Sequence, residues 1–168
     1  MTNATSYRIA PTEGERADLP GLGNRYILRS EHTGGRFALV EHTIAPRALA
    51  APVHTHRDED ECSYVLSGRM GAIVGDEVIE AGPGELVVKP RGIPHAFWSA
   101  SDGETRVLEL ISPGGFEQYF ADLAPVLNAG GPPDFAAMSA IQARYELSMD
   151  PDSIGMLVER FGLQATTA

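Results

Sequence analysis

The chain has 168 residues, 43% of them hydrophobic, which is enough for one well-buried core and short for two, so we expect a single domain. A formal net charge of −10 at pH 7 would repel a nucleic-acid backbone or an anionic membrane surface, so we expect neither as a partner. Because no apolar run reaches the length of a membrane span and the N-terminus lacks the pattern of a signal peptide, we expect a cytoplasmic protein.

Short β-rich runs alternate with turn signals from about residue 24 to about residue 112. The runs are about five to seven residues long and recur at a spacing of about 8–12 residues, separated by Gly, Pro and Asp, a pattern typical of an antiparallel sandwich or barrel. The sharpest hairpin signal is Gly75 followed by Asp76, which lies between two alternating runs. Glycine there can supply the positive φ of a tight turn.

The pattern changes to helical periodicity after the last predicted strand. Phe116, Tyr119, Phe120 and Leu123 recur at spacings of three and four, which predicts an amphipathic helix. Two later segments, PDFAAMSAIQARYEL and PDSIGMLVERFGL, carry Pro-Asp near their starts, where Asp can cap the first helical turn. We therefore expect three helices at the end of the chain, packed on the β structure.

Two histidines one residue apart, His54 and His56, are the first candidates for chemistry. Side chains alternate faces along a strand, so both imidazoles project from one face and can bind one ion. The following strand places Glu61, Ser63 and Val65 on one face, so that Glu61 points inward if Val65 does. The intervening acids at 58–60 are predicted to form a solvated bend, although one of them could replace Glu61 as a ligand.

A third imidazole, His95, follows a segment in which Gly92 and Pro94 can turn the chain. That turn could aim His95 and Phe97 inward, with Phe97 forming a wall of the cavity. The next residue, Trp98, then faces the opposite way, toward the terminal helices or a partner subunit.

Eight residues fall at the intervals of the two sequence motifs of the cupins. The first motif is H-x-H followed by Glu and Gly, the second is Gly, P-x-G and His, and the matching residues are His54, His56, Glu61, Gly68, Gly84, Pro90, Gly92 and His95. Ala48 stands where the first motif begins with Gly, and Ser99 stands where the second ends with Asn; neither position is a metal ligand in the family. By these motifs the sequence resembles the cupins, and the segment SPGGFEQYF after the last predicted strand resembles the helix of small single-domain cupins of the quercetin-dioxygenase-like kind.

The resemblance implies an all-β fold, the double-stranded β-helix or jelly-roll barrel, over about residues 24–113, with helices over about residues 115–163 packed on it. It also implies one divalent metal ion, Fe, Mn, Ni, Co, Cu or Zn, held by His54, His56, Glu61 and His95. The ligand types do not identify the metal. We expect a homodimer, as is common among small cupins.

The function implied by the resemblance is a metal-dependent dioxygenase that cleaves a flavonol-like or other metal-chelating enol, with Glu61 as the catalytic base. Two alternatives stay open, because one fold hosts many chemistries. The first is a non-redox metal enzyme, such as an isomerase, a decarboxylase or a polyketide-cyclase-like enzyme. The second is a cupin that binds a small molecule without catalysis.

Four residues near the predicted ligands are candidates for a substrate pocket: Phe97, Ser63, Val65 and Glu109. Glu109 is included because it shares a strand face with two apolar residues that would point inward. His42 could either support a ligand or be exposed, and strand parity alone does not decide between these. The lone cysteine, Cys62, is predicted to be a small core residue.

Overall fold

A computed structural model describes residues 8–164 of the chain. These residues form strands and helices in the order β1 (Leu22–Leu28), a 3-10 helix (Ser30–Thr33), β2 (Ala38–Ile44), β3 (Leu49–His56), β4 (Asp60–Ser67), β5 (Met70–Val74), β6 (Glu77–Ala81), β7 (Leu86–Lys89), β8 (His95–Ser99), β9 (Thr105–Ser112), α1 (Gln118–Leu127), α2 (Phe135–Arg144), β10 (Leu147–Asp150) and α3 (Ser153–Phe161). None of these helices is long and apolar enough to cross a membrane.

The strands form two five-stranded sheets, with the orders β1-β2-β9-β4-β7 and β10-β3-β8-β5-β6. Every pair of neighbouring strands is antiparallel. Side chains alternate between buried and partly exposed along β9, and its buried Val107 packs with Val65 of β4 and Phe97 of β8. The predicted all-β architecture is therefore confirmed, because the inward faces of both sheets share one apolar core.

The hairpin between β5 and β6 forms at the predicted position. Gly75 has a φ of 59°, in the left-handed region that favours glycine, and it closes the turn with Asp76. The local signal from glycine was sufficient here because the turn needs only two residues.

The three predicted helices are confirmed, and they cover the barrel. Tyr119, Phe120 and Leu123 of α1 pack into a cluster with Val40 and other core residues. At the start of α2 the carboxylate of Asp134 accepts a hydrogen bond from the backbone N–H of Ala137 at 2.9 Å, as the Pro-Asp signal predicted. At the start of α3 the same signal was wrong, because the side chain of Asp152 makes no capping hydrogen bond.

The segment after α2 departs from the prediction, because the chain forms β10 where the sequence pattern favours a longer helix. The backbone of Glu146 takes a φ of 50°, which ends the helical path. β10 then pairs antiparallel with β3, with Leu147 opposite His56 and Met149 opposite His54. The physical reason is that β3 is otherwise an edge strand whose backbone groups need partners.

The helix α3 covers the outer side of the second sheet. Trp98 stacks on Phe161 with ring centroids 4.3 Å apart, and both belong to a cluster that includes Leu157. Trp98 thus faces the terminal helices, which was one of the two predicted environments. Its side chain is 2% exposed, so it offers no free surface to a partner subunit.

Candidate metal centre

Three strands bring together the four predicted ligands. His54 and His56 lie on β3, Glu61 lies on β4 in the other sheet, and His95 on β8 is directly opposite His54. Each residue offers one ligand atom, and these atoms lie within 4.8 Å of one another. All four side chains are buried, so the barrel holds three imidazoles and a carboxylate around one point away from solvent.

Backbone carbonyls orient two of the imidazoles. Nδ1 of His54 lies 2.8 Å from the carbonyl oxygen of Pro52, and Nδ1 of His95 lies 3.0 Å from that of Ile93. Since a carbonyl only accepts hydrogen bonds, Nδ1 carries the proton in both rings and Nε2 keeps its lone pair. This tautomer leaves Nε2 of both rings free to bind a metal ion.

Three ring nitrogens of the cluster lack a hydrogen-bond partner within the described part of the chain. Both ring nitrogens of His56 and Nε2 of His95 are buried without a hydrogen bond. Nε2 of His95 lies 3.4 Å from Oε2 of Glu61, and Nε2 of His56 lies 3.6 Å from Oε1. Buried polar atoms seldom remain unsatisfied, so these convergent donors fit a divalent metal ion.

The acidic residues before Glu61 do not enter the cluster. Asp60 pairs with Arg91, Asp58 pairs with Arg57, and Glu59 lies on the far side of His56, with Oε2 3.7 Å from Nδ1. Glu61 is therefore the only carboxylate among the grouped ligand atoms of residues 8–164.

A buried lysine beside the cluster was not anticipated from the sequence. Lys89 of β7 has no exposed surface, and its Nζ lies 2.9 Å from Oε2 of Glu61 and 3.0 Å from Oε2 of Glu109. The Oγ of Ser63 donates a second hydrogen bond to Oε2 of Glu109 at 2.6 Å. The ammonium group also lies over the ring of Phe97, 4.4 Å from its centroid.

These charges set the protonation states of the two carboxyl groups. Burial disfavours the ionised form of Glu61, but Lys89 and the neighbouring imidazoles outweigh it and hold its pKa well below the ordinary value. Burial also raises the pKa of Glu109, to about 7, and the nearby charge of Glu61 adds to the rise. For Lys89, burial lowers the pKa, but the two carboxylates more than compensate and the net pKa is raised. The ammonium group thus stays charged between Glu61 and Glu109.

Strand parity is the sequence signal that could have revealed Lys89. Val87 and Lys89 share one face of β7, and Leu86 and Val88 share the other, exposed face. In the sheet, Lys89 is directly opposite Glu61. Lysine is rarely buried unless it is paired, so the residue type concealed this position.

A cavity of about 360 Å³ opens onto the cluster at His54 and Glu61. Among the four predicted pocket residues, Phe97 lines this cavity. Ser63, Val65 and Glu109 are not part of its lining in the described structure. Val65 is packed in the core, and Ser63 is hydrogen-bonded to Glu109, which also contacts Lys89. These three residues thus shape the interior next to the ligands rather than the cavity wall.

Residues after the barrel form much of the cavity wall, which the sequence pattern did not reveal. Phe116, Tyr119, Phe120 and Leu123 line it together with Met149 of β10. The sequence showed the first four as an apolar stripe on a helix. Periodicity marks the buried face of a helix, but it does not show whether that face meets a solid core or a cavity.

His42 is buried, which excludes the exposed environment, but its hydrogen bond is to Asn24 and not to one of the four clustered ligands. Its Nδ1 lies 2.6 Å from Oδ1 of Asn24, and its ring also lines the cavity. Burial, together with a smaller effect of the charge of Lys89, lowers the pKa of His42 to about 3. His42 therefore stays neutral at physiological pH. Cys62 was expected in the core, but it is half-buried on the outer face of β4.

Comparisons with known proteins agree with the fold. Residues 40–111 match the family model of the Cupin domain. An uncharacterized protein of Streptomyces coelicolor, SCO3923, is 30% identical over 108 residues, which cover 64% of this chain and 95% of the relative.

Two solved structures illustrate the likeness in three dimensions. KdgF from Halomonas sp. is 20% identical with a TM-score of 0.59, and the match covers 66% of this chain and 96% of that one. The nucleoside dehydratase Pac13, of Streptomyces, is 18% identical with a TM-score of 0.55, covering 68% of this chain and 88% of that one. With the two-sheet barrel and the family match over its strands, the chain belongs to the cupin superfamily.

Proposed function

We propose that this cupin is a metal-dependent enzyme, a dioxygenase that cleaves a small metal-chelating enol of the flavonol type. The observation that carries the proposal is the buried cluster of His54, His56, Glu61 and His95 at a largely apolar cavity. This set of nitrogen and oxygen donors suits divalent Fe, Mn, Ni, Co, Cu or Zn. A bound ion of this kind supplies Lewis acidity toward an enol oxygen and, if it is redox-active, the electron transfer that reaction with dioxygen requires.

Glu61 is the residue that would accept the proton of the enol. Its Oε2 contacts Lys89, so Oε1 is the oxygen left to take a proton. The low pKa of Glu61, held down by Lys89 against the effect of burial, makes the carboxylate a weak base. Proton transfer to such a base favours acidic enols over simple alcohols as substrates.

The apolar residues at the cavity limit the access of water to the reacting atoms. Phe97 and Phe116 line the cavity next to the cluster, and the ring of Phe116 packs edge-on against His56 with centroids 4.3 Å apart. Displacing water strengthens the electrostatic interactions of Glu61 with its neighbours. It also protects a reactive substrate anion from protonation by solvent.

A non-redox reaction is the second candidate. The observation in its favour is that Lys89 forms ion pairs with both Glu61 and Glu109. Glu61, Lys89 and Glu109 place a proton acceptor, a donor and a second carboxyl group next to one another. Such a set suits an isomerisation, a decarboxylation or an elimination. One fold neighbour, Pac13, is a nucleoside dehydratase, although a likeness at 18% identity supports the shared fold alone.

Metal analysis combined with an oxygen electrode tests the proposal. The parent protein, Glu61→Gln, His95→Ala and the control His32→Ala are purified, analysed for metal, and assayed with 3-hydroxyflavone and with a β-diketone. His95→Ala should lose the metal, because it removes one of three imidazoles. Glu61→Gln should keep some metal and lose turnover by a factor of about 10² to 10⁴. His32 lies on the 3-10 helix outside the cluster, so its replacement should change neither quantity.

The outcomes separate the three hypotheses. Oxygen uptake with cleavage of the enol supports the dioxygenase. Turnover without oxygen uptake favours the non-redox enzyme, and binding of metal and ligand without any turnover favours the non-catalytic protein. If His95→Ala retains the metal content of the parent, the assigned ligand set is wrong.

A further inference from the structure

The cavity next to the cluster is built largely from the part of the chain that follows the barrel strands. Phe116, Phe120, Leu123, Met138 and Met149 line one continuous space, which we call the tail chamber. They come from the segment between β9 and α1, from α1 itself, from α2 and from β10. Because β10 pairs with β3, which carries His54 and His56, the tail is held directly against the candidate metal ligands.

The tail chamber offers no positive charge to an anionic ligand. Within residues 8–164, no lysine or arginine lines it, and Glu61 is the one carboxylate that does. Lys89 lies close by, but it is fully buried and already paired with Glu61 and Glu109. A phosphate or carboxylate entering the chamber would lose its hydration without gaining a cation, and it would face the charge of Glu61.

The size and lining of the chamber suit a small molecule. A volume of about 360 Å³ is near the lower end of the range of about 300–1,000 Å³ that is typical of small-molecule sites. Aromatic rings and thioethers make up much of the wall, and they pack well against flat or flexible apolar groups. A fused-ring or short alkyl compound fits such a space, whereas a polymer or a dinucleotide does not.

Asn24 fixes the tautomer of His42, a polar residue that lines the chamber. The side-chain NH₂ of Asn24 donates to the carbonyl oxygens of Ala17 and Leu22, at 2.8 and 3.3 Å, so Oδ1 is the atom facing His42. Oδ1 accepts a hydrogen bond, so Nδ1 of His42 carries the proton and Nε2 keeps a lone pair. Nε2 has no protein partner among the described residues, and the ring is part of the lining.

We propose that the tail chamber binds the uncharged aromatic or alkyl body of the substrate, and that Nε2 of His42 accepts a hydrogen bond from a hydroxyl group on that body. The inference deepens the proposed function and rests on it only for the reacting end of the substrate. His42 is then a specificity-determining residue, which selects a neutral hydroxyl compound over its ether and its phosphate ester. The low pKa of His42 supports this role, because the ring stays neutral and so remains an acceptor.

Binding of three related compounds to the metal-free protein tests the proposal. Affinities for 2-naphthol, 2-methoxynaphthalene and 2-naphthyl phosphate are measured in the presence of a chelator. We expect 2-naphthol to bind more tightly than the phosphate ester by at least about 100-fold, because the chamber lacks a cation. We expect it to bind about 3- to 10-fold more tightly than the methyl ether, because the ether cannot donate to His42. Equal affinities for all three compounds, or tighter binding of the phosphate ester, would overturn the proposal.

Matched variants locate the binding site. Met138→Arg places a cation in the chamber, so it should weaken 2-naphthol and strengthen 2-naphthyl phosphate, each by about tenfold or more. Met156→Arg is the control, because Met156 is 47% exposed on α3 and does not line the chamber. His42→Phe should abolish the preference for 2-naphthol over its methyl ether. The preference in the parent protein tests the hydrogen bond even if that variant does not fold.

The binding and turnover experiments can refute the chamber and the proposed function separately. Selective binding of 2-naphthol to the metal-free protein, combined with no oxygen uptake by the metal-loaded protein on any enol tested, would support the chamber and refute the dioxygenase. Oxygen uptake with an enol whose KM is the same in Met138→Arg and Met156→Arg would support a metal enzyme and refute the chamber as its substrate site.

Discussion

Replacing Glu109 by Gln should make the protein more stable at neutral and alkaline pH. The pKa of Glu109 is raised from an ordinary value of 4.5 to about 7, chiefly by burial. The folded state therefore holds this proton more tightly than the unfolded state does. The stabilisation from that proton is fully present below about pH 4.5 and is lost as the pH rises through about 7.

The magnitude follows from the change in pKa. Each tenfold difference in proton affinity is worth about 1.4 kcal/mol, so a rise from 4.5 to about 7 corresponds to about 3 kcal/mol. Glutamine does not titrate, and its carbonyl oxygen can still accept the hydrogen bonds from Ser63 and Lys89. The free energy of unfolding of Glu109→Gln, minus that of the parent, should thus increase by about 3 kcal/mol between about pH 4.5 and about pH 8.

Urea unfolding at a series of pH values, in the presence of a chelator, measures this difference. The fluorescence of Trp98, the single tryptophan, reports the transition. The control is Glu41→Gln. Burial of Glu41 favours its neutral form, but hydrogen bonds from Arg106 and Arg25 outweigh it and lower the pKa. That depressed pKa gives stability above the unfolded pKa, so this control should lose stability relative to the parent as the pH rises. A difference for Glu109→Gln that does not change with pH would refute the assignment of Glu109 as a protonated buried acid near neutrality.

Two further predictions concern the packing of the second sheet and the outer face of the first. A Cβ atom at Gly71 would overlap the indole of Trp98. Gly71→Ala should therefore destabilise the fold by about 1–3 kcal/mol and change the fluorescence of Trp98. A variant that unfolds at the same urea concentration as the parent would contradict this. Tyr64, Leu86 and Val88 form neighbouring exposed apolar positions on β4 and β7, so we expect this face to be buried in the predicted homodimer. Sedimentation velocity should show a dimer for the parent and a monomer for Leu86→Asp, and a monomeric parent would refute it.

The parts of the structure that the sequence predicted are those encoded by local signals. The hairpin at Gly75 depends on one glycine between two strands, and the cap of α2 depends on Asp134. The four clustered side chains follow from strand parity combined with fixed motif intervals, since parity aims His54 and His56 together. Each of these features needs only a few neighbouring residues to agree.

The features that were missed depend on contacts between distant segments. β10 forms because β3 offers an open edge, and nothing within the segment from Leu147 to Asp150 outweighs the helical pattern before it. Lys89 is another case, because its burial depends on Glu61 and Glu109, which belong to β4 and β9. The alternation of side chains along one strand shows which face a residue occupies, but it does not show which residues of the neighbouring strands it contacts.

The same cross-strand contacts connect stability with the chemistry proposed for the site. A lone buried carboxylate would tend to take up a proton, and a protonated Glu61 would be a poorer metal ligand. Lys89 prevents this by keeping Glu61 ionised, and Glu109 shares the lysine without fully ionising near neutral pH. A rise in pH ionises Glu109 further and so places a second negative charge beside Lys89, whose Nζ lies 2.9 Å from Glu61 and 3.0 Å from Glu109. The three residues thus couple the ionisation of Glu109 to that of Glu61, because both carboxyl groups contact Lys89.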